Sequence, residues 1–229
     1  VAERVASPLS ATARLCDSFP PDTDAAMKLL IATGNVHKLE EIRHLFSVPG
    51  IELIGLSDLP RPAPDVPETG LTFEANSLLK AVGYAAFADM WALADDSGLV
   101  VDALDGEPGI FSARYAGSHG DDAANNRKVL EKLAGVAEAE RTGRFVCAVA
   151  LAHPDGTTRV IEAACEGRID VEETGEHGFG YDPMFIPDGH QQSFGVLDSA
   201  IKSTISHRSK AVRAAAELWA GLLLGRPGH

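Results

Sequence analysis

The chain has 229 residues, 45% of them hydrophobic, enough to bury the core of one substantial domain. Its 33 acidic residues against 20 basic ones give a net charge of -13, which argues against a partner held by general phosphate attraction, such as a nucleic-acid polymer. Cys16, Cys147 and Cys165 have no CxxC spacing to suggest a disulfide framework or a zinc site, and no apolar run nears the ~20 residues of a membrane span, so a cytoplasmic protein is expected.

Residues 1–26 mix Pro, Ser, Ala and Asp without a sustained period and lack the apolar stretch of a secretory signal. They are expected to be a disordered or non-native extension, with residues 27–229 forming a single domain. From Met27, "MKLLIAT" reads as a strand, and Val36 to Phe46 places Leu39, Ile42, Leu45 and Phe46 on one helical face. Between them Thr33-Gly34-Asn35 aims free N–H groups at one point, the generic construction of a phosphate cradle. GxxxxGK[ST] is absent, and a plain strand-to-helix turn has the same outline. With Asn35 as N-cap, the N3 position that a capping box fills with Glu or Gln holds Lys38, where the positive helix end costs a cation about 0.3 to 1 kcal/mol. A bound anion would relieve that cost.

"IELIGL" is a second strand, and a Pro-rich loop from Arg61 to Pro67 leads to a helix over Phe73 to Ala88 with Thr72 as N-cap. On it Asn76 and Lys80 are i,i+4 neighbours and share a face, with Leu78, Leu79 and Val82 toward the other. A solvated polar face is the plainer meaning of that pair. Glu68, just ahead, suits a metal ligand or a simple loop acid.

Two apolar runs, "WALA" and "LVVDAL", stand on either side of "DDSG", whose residues suit a turn. Carboxylates abutting strands that read as buried nevertheless need a partner, and Mg²⁺, held by one or two carboxylates plus substrate phosphates, would supply it. A helix follows over Asp122 to Leu133, then a hairpin, "RFVCAVALAH" and "TTRVIEAACEGRI", turning at Pro154 to Gly156. In "HGFGYDP" Gly178 and Gly180 bracket Phe179, leaving its ring free to stack on a flat ligand or to pack in the core. The last helix, about His207 to Leu224, is expected to bury Val212, Ala216, Trp219 and Leu223. With Ser206 as its N-cap, His207 and Arg208 repeat the anomaly of Lys38, cations in a first turn. A common cause is more economical than two accidents.

The segments "TGNVHK", "ETGLTFEANSLLKA", "ADDSGLVVDALDGEPGIFSARYAG", "GFGYDP" and "KSTISHR", in this order over about Leu29 to Leu218, resemble the inosine/xanthosine triphosphate pyrophosphatase family. The resemblance implies an α/β fold with a long central mixed β-sheet and flanking helices, two lobes with a nucleotide cleft between them, and a homodimer. It implies Mg²⁺-dependent hydrolysis of ITP, dITP and XTP to the monophosphate and pyrophosphate. Carried over by motif, Thr33, Gly34, Asn35, Val36, His37 and Lys38 would wrap the phosphates, with Lys80 as a further cation. Glu68 and Asp96 would hold the metal, Asp96 also acting as general base with Asp95 in support. Ser97 would touch substrate, Phe179 would stack on the base, and Gly180, Tyr181, Asp182, Lys202, His207 and Arg208 would read the base and hold the nucleotide. Two departures stand out: "FEANS" where "FEENA" is frequent, and Ala200-Ile201 where a pair of acids commonly precedes the lysine. On this reading Lys38→Glu weakens nucleotide binding and leaves the fold intact.

Overall fold

The computed structural model describes residues 26–225, so all of the expected extension except its last residue lies outside the described residues. Side-chain alternation along the first strand decides what covers each side of the sheet. In β1 (Met27–Ile31), Leu29 and Ile31 enter one core and Leu30 enters another. The sheet has six strands in the order β2-β1-β3-β4-β5-β6, with β2 (Ile51–Gly55), β3 (Ala92–Val101), β4 (Thr142–Ala152), β5 (Thr158–Ile169) and β6 (Phe185–Pro187). β1 runs parallel to β2 and β3, and the remaining pairs are antiparallel, so the expected mixed α/β sheet is present.

Helices α1 (Val36–Leu45) and α5 (His207–Leu223) cover the Leu29 side, where Ile42, Leu45, Val212 and Trp219 pack against Ile31 and Leu93. Helix α2 (Phe73–Ala88) covers the other side, placing Ala81, Tyr84 and Ala85 on Leu30, Ala92 and Ala94. The far ends of β3, β4 and β5 carry a further core of Leu99, Phe145 and Ile169, joined by Phe185 of β6 and Val129 of α3 (Asp122–Lys132). Each fully buried Leu, Ile or Phe in these cores contributes roughly 1.5–3 kcal/mol. Between the two ends, α4 (Ser199–Ile205) leads directly into α5.

The three expected caps are formed: Asn35, Thr72 and Ser206 accept from the N–H groups of Lys38, Ala75 and Ser209. Three expectations need correction. "DDSG" is not a turn between two runs but the middle of one ten-residue strand, β3, with Asp95, Asp96, Ser97 and Gly98 opposite Val149, Ala148, Cys147 and Val146 of β4. Gly98 serves close approach, because a Cβ there would lie 2.3 Å from Ser112 Oγ. On α2 the polar face points inward: Asn76 is fully buried while Leu79 and Val82 are 39% and 48% exposed. The pull on that face comes from acids on the sheet, which periodicity of apolar residues cannot register. On α5, Ala211 and Ala215 are buried and Ala216 only partly so.

Candidate active site

Alternation along β3 sends the adjacent carboxylates to opposite faces of the sheet. Asp95 shares its side with Leu93 and meets α1 and α5. Its Oδ2 lies 3.0 Å from Lys38 Nζ and 3.3 Å from Arg208 Nη2, and accepts from Ser97 Oγ at 3.1 Å. Burial alone would raise the Asp95 carboxyl, but Lys38 and then Arg208 hold it well below the usual carboxylate range. Arg208 also donates to Ser97 Oγ at 2.8 Å and pairs with Glu41 of α1. Glu41 meets Lys202 of α4 at 2.9 Å, and Lys202 reaches Asp182 at 2.6 Å. One chain of alternating charge thus joins β3, both helix starts, α4 and the "GFGYDP" loop.

This arrangement explains the cations at the two helix starts without a ligand. Lys38 and Arg208 neutralise an acid whose side chain is wholly buried. The expectation that Lys38→Glu spares the fold is therefore corrected, since the substitution would set a second carboxylate against buried Asp95.

Asp96 faces α2. Its Oδ1 accepts from Lys80 Nζ at 3.0 Å, and the same ammonium lies 3.5 Å from Glu68 Oε1. Burial lifts the Asp96 carboxyl above the ordinary aspartate value, with Lys80 pulling the other way. Burial also opposes the charge on Lys80, but Asp96, Asp95 and Glu68 outweigh it and raise the ammonium's pKa. The Glu68 segment is pinned to α2 where the Gly70 N–H donates to Asn76 Oδ1 at 2.8 Å.

Asp96 Oδ2 and Asp95 Oδ1 are buried without a hydrogen-bond partner, an unusual state for a carboxylate oxygen. No cluster of three or more His, Cys, Asp or Glu side chains suited to a metal stands among the described residues. Glu68 and Asp96 nevertheless fit a Mg²⁺ ion, which keeps several waters and needs only one or two carboxylates beside substrate phosphates.

Two adjoining cavities open here. One of about 590 Å³ is lined by the Thr33 to Lys38 turn with Glu68, Lys80, Asp96 and Ser97. The other, about 290 Å³, is lined by Phe179, Gly180, Tyr181, Asp182, Lys202, His207 and Arg208 and shares Asn35, His37, Lys38 and Ser97 with the first. Phe179 is half-buried, with the His37 ring 5.3 Å away at 17° and Lys202 Nζ 4.8 Å from its centroid. His207 stacks on Phe145 at 4.7 Å and keeps a buried, unpartnered Nδ1. Burial, reinforced by Arg208 and Lys202, holds its pKa well below the usual histidine value. The Asp182 carboxyl is raised by burial, although Lys202 and the Phe179 N–H both bond its Oδ2.

All the site residues marked by sequence except Asp95 line one or both of the two cavities, with differences in what remains free. Val36 is 63% exposed, and the Tyr181 hydroxyl is committed to Ser112 O at 2.8 Å. Glu41 was missed, although it stands i,i+3 from Lys38 on the same helix. His119 lines both cavities and Asp122 the smaller one; no local pattern marks either.

The model of the Ham1 family matches residues 29–218. The chain is 45% identical over 185 residues to the dITP/XTP pyrophosphatase of Oceanobacillus iheyensis, covering 81% of this chain and 94% of that protein. With the dITP/XTP pyrophosphatase of Rhodopirellula baltica it shares 47% identity over 186 residues, 81% of this chain and 89% of that one. Among solved structures, the Ham1 protein of Staphylococcus aureus superposes with a TM-score of 0.76 at 39% identity, covering 85% of this chain and 99% of that one. The nucleoside-triphosphatase, a dITP/XTP pyrophosphatase, of Mycobacterium abscessus gives 0.69 at 43% identity, with 82% and 98% covered.

Proposed function

The chain belongs to the Ham1 family, and from that premise we propose that it hydrolyses the deaminated purine nucleotides ITP, dITP and XTP to monophosphate and pyrophosphate. The observation that carries this reading is the junction of the two cavities at Lys38 and Ser97, next to Asp96 of the larger one, with one cavity rich in phosphate-binding groups and the other containing a half-buried aromatic ring. A nucleotide laid across the junction would put its α-phosphate near the free oxygen of Asp96.

The residues have separable tasks. The N–H groups of Thr33 to Lys38, with the Lys38 and Lys80 ammonium groups, bind the phosphates; Lys38 and Lys80 exchange part of their contact with Asp95 and Asp96 for substrate oxygens. Asp96 Oδ2 orients a water and takes its proton as the water oxygen bonds to the α-phosphorus. The bond from that phosphorus to the bridging oxygen breaks, and the electron pair leaves with pyrophosphate, whose charge the fixed cations and N–H groups stabilise. Mg²⁺ held by Glu68 and Asp96 would add charge neutralisation on the phosphate oxygens.

Phe179 stacks on the base, and Arg208, Lys202 and His207 offer donors to its 6-oxo group, which adenine replaces by an amino donor. The domain reading is one two-lobed unit over 27–229 with the cleft between lobes. A homodimer is supported by Leu79 and Val82, which stand i,i+3 on α2 and face solvent. Among the described residues no helix is long and apolar enough to cross a membrane, and Cys147 and Cys165 are free and buried, which suits a reducing cytoplasm.

Pyrophosphate release from ITP, XTP, dGTP and ATP, with and without Mg²⁺, tests the proposal. ITP and XTP should be preferred and the metal required. Equal rates on all four would remove the selectivity claim, and binding without turnover would reduce the protein to a nucleotide sensor. Light scattering after size exclusion tests the dimer.

A further inference from the structure

The loop that carries Phe179 is held from within at Phe179, whose N–H donates to Asp182 Oδ2 at 2.8 Å, but not at Gly180. Gly178 and Gly180 both have positive φ, +75° and +62°. At Gly178 the space is filled, since a Cβ would meet Asp182 Oδ2 at 2.0 Å, but a Cβ at Gly180 would meet nothing within 4 Å. Crowding therefore does not set the Gly180 peptide, and its conformation depends on what bonds it.

Both its polar groups are bonded by α3. Asp122 Oδ2 accepts from the Gly180 N–H at 2.8 Å. One turn later Asn126 Nδ2 donates to Gly180 O at 3.1 Å and to Glu173 Oε2 at 2.8 Å. Asn126 is 2% exposed, so little water reaches its two bonds to compete. The adjacent Asn125 accepts from the Ala116 N–H at 2.7 Å, tying α3 also to the loop that brings His119 and Gly120 to the wall shared by both cavities. Helix α3 thus grips, from one face, the two loops between which the nucleotide would lie.

We propose that Asp122 and Asn126 are positioning residues for base recognition: they fix the Gly180 peptide and, through it, the Phe179 ring. This inference rests on the stacking role given to Phe179 above. It assigns part of base affinity and selectivity to a helix that contributes neither a phosphate ligand nor the water-activating carboxylate.

The test uses the exposed Asp122, whose substitution leaves the core untouched. Asp122→Ala should raise KM for ITP about tenfold with kcat within about twofold, and narrow the ratio of ITP to GTP turnover. Asp122→Asn, which keeps an acceptor oxygen for the Gly180 N–H, should return KM to within about twofold of native. Asn126→Ala should mimic Asp122→Ala. In a Phe179→Ala background, Asp122→Ala should add less than about twofold, because its effect passes through the ring.

Native KM in Asp122→Ala with a lowered melting temperature would make the contact merely structural and overturn the proposal. Full additivity with Phe179→Ala would overturn it as well. Native KM in Phe179→Ala alone would instead bring down the stacking role, so the two failures are told apart.

Discussion

Asp95 and Asp96 are neighbours in sequence and opposites in environment. Asp95 is enclosed by Lys38, Arg208 and Ser97, all on its Oδ2, lines neither cavity and is held well below the usual pKa; Asp96 has one close lysine, lines the larger cavity and has a raised pKa, and each keeps one oxygen without a hydrogen-bond partner. The strand's alternation alone separates them, since each meets whichever helix covers its face. The pair teaches that a buried acid serves the fold when two cations hold it ionised away from any cavity, and serves chemistry when one cation leaves its pKa raised at a cavity wall. Asp95 fastens α1 and α5 to the sheet, and Asp96 stands at the cavity wall, where water or metal can reach its carboxylate.

The sharpest way to break this division is to remove each charge in turn. Asp96→Asn should lower kcat for ITP by about 10²- to 10⁴-fold, the range for loss of a general base, while the melting temperature changes little. Pyrophosphate release beside a thermal melt reads both. Retained turnover would make Asp96 a second Asp95. The complementary change, Asp95→Ala, strips two cations of a buried partner and should cost about 3–5 kcal/mol of unfolding free energy in a urea titration. A loss under about 1 kcal/mol would mean that the network around Asp95 is dispensable to the fold.

A smaller effect sharpens the Asp96 side. Asn76 holds the Glu68 segment by accepting from the Gly70 N–H, and its Nδ2 is buried without a partner. Removing a group that orients a ligand typically weakens metal binding 10- to 100-fold, so Asn76→Ala should shift the Mg²⁺ dependence of turnover upward by about tenfold. An unchanged Mg²⁺ titration would detach Glu68 from the metal.

This contrast was only half legible in the sequence. Short-range chemistry showed well: Asn35, Thr72 and Ser206 were readable as caps because each cap bond spans three residues. The cations at two helix starts also stood out, since they violate a local rule. Their partner did not. Arg208 is 113 residues from Asp95, so nothing local showed that "DDSG" continues a strand rather than turning it. The inward polar face of α2 was hidden for the same reason, as Lys80 answers an acid on β3 rather than any period of its own helix. Glu41 belonged to the legible half and was overlooked because its i,i+3 relation to Lys38 looks like an ordinary helix surface pair.

The smallest predicted effect separates the two carboxylates by sign. Asp95 has a folded pKa below its unfolded value of about 3.9, so its stabilisation is complete above that pH and is lost as the pH falls through the folded value. His207, also lowered, acts in the same direction at higher pH: the unfolded chain takes up a proton below about 6.5 while the buried ring does not, so stability declines on acidification. Asp96 is raised, and the folded state binds the extra proton between about 3.9 and its own pKa, so its effect is to lower stability as pH rises through that window. Unfolding free energies of the native protein and Asp96→Asn, measured in steps from about pH 4 to 7, should therefore diverge in favour of the variant as pH rises. His207→Gln should flatten the native curve below about pH 6.5 without touching that divergence. Parallel curves for native and Asp96→Asn would mean that Asp96 is held ionised as firmly as its neighbour, and it would lose its claim to the water.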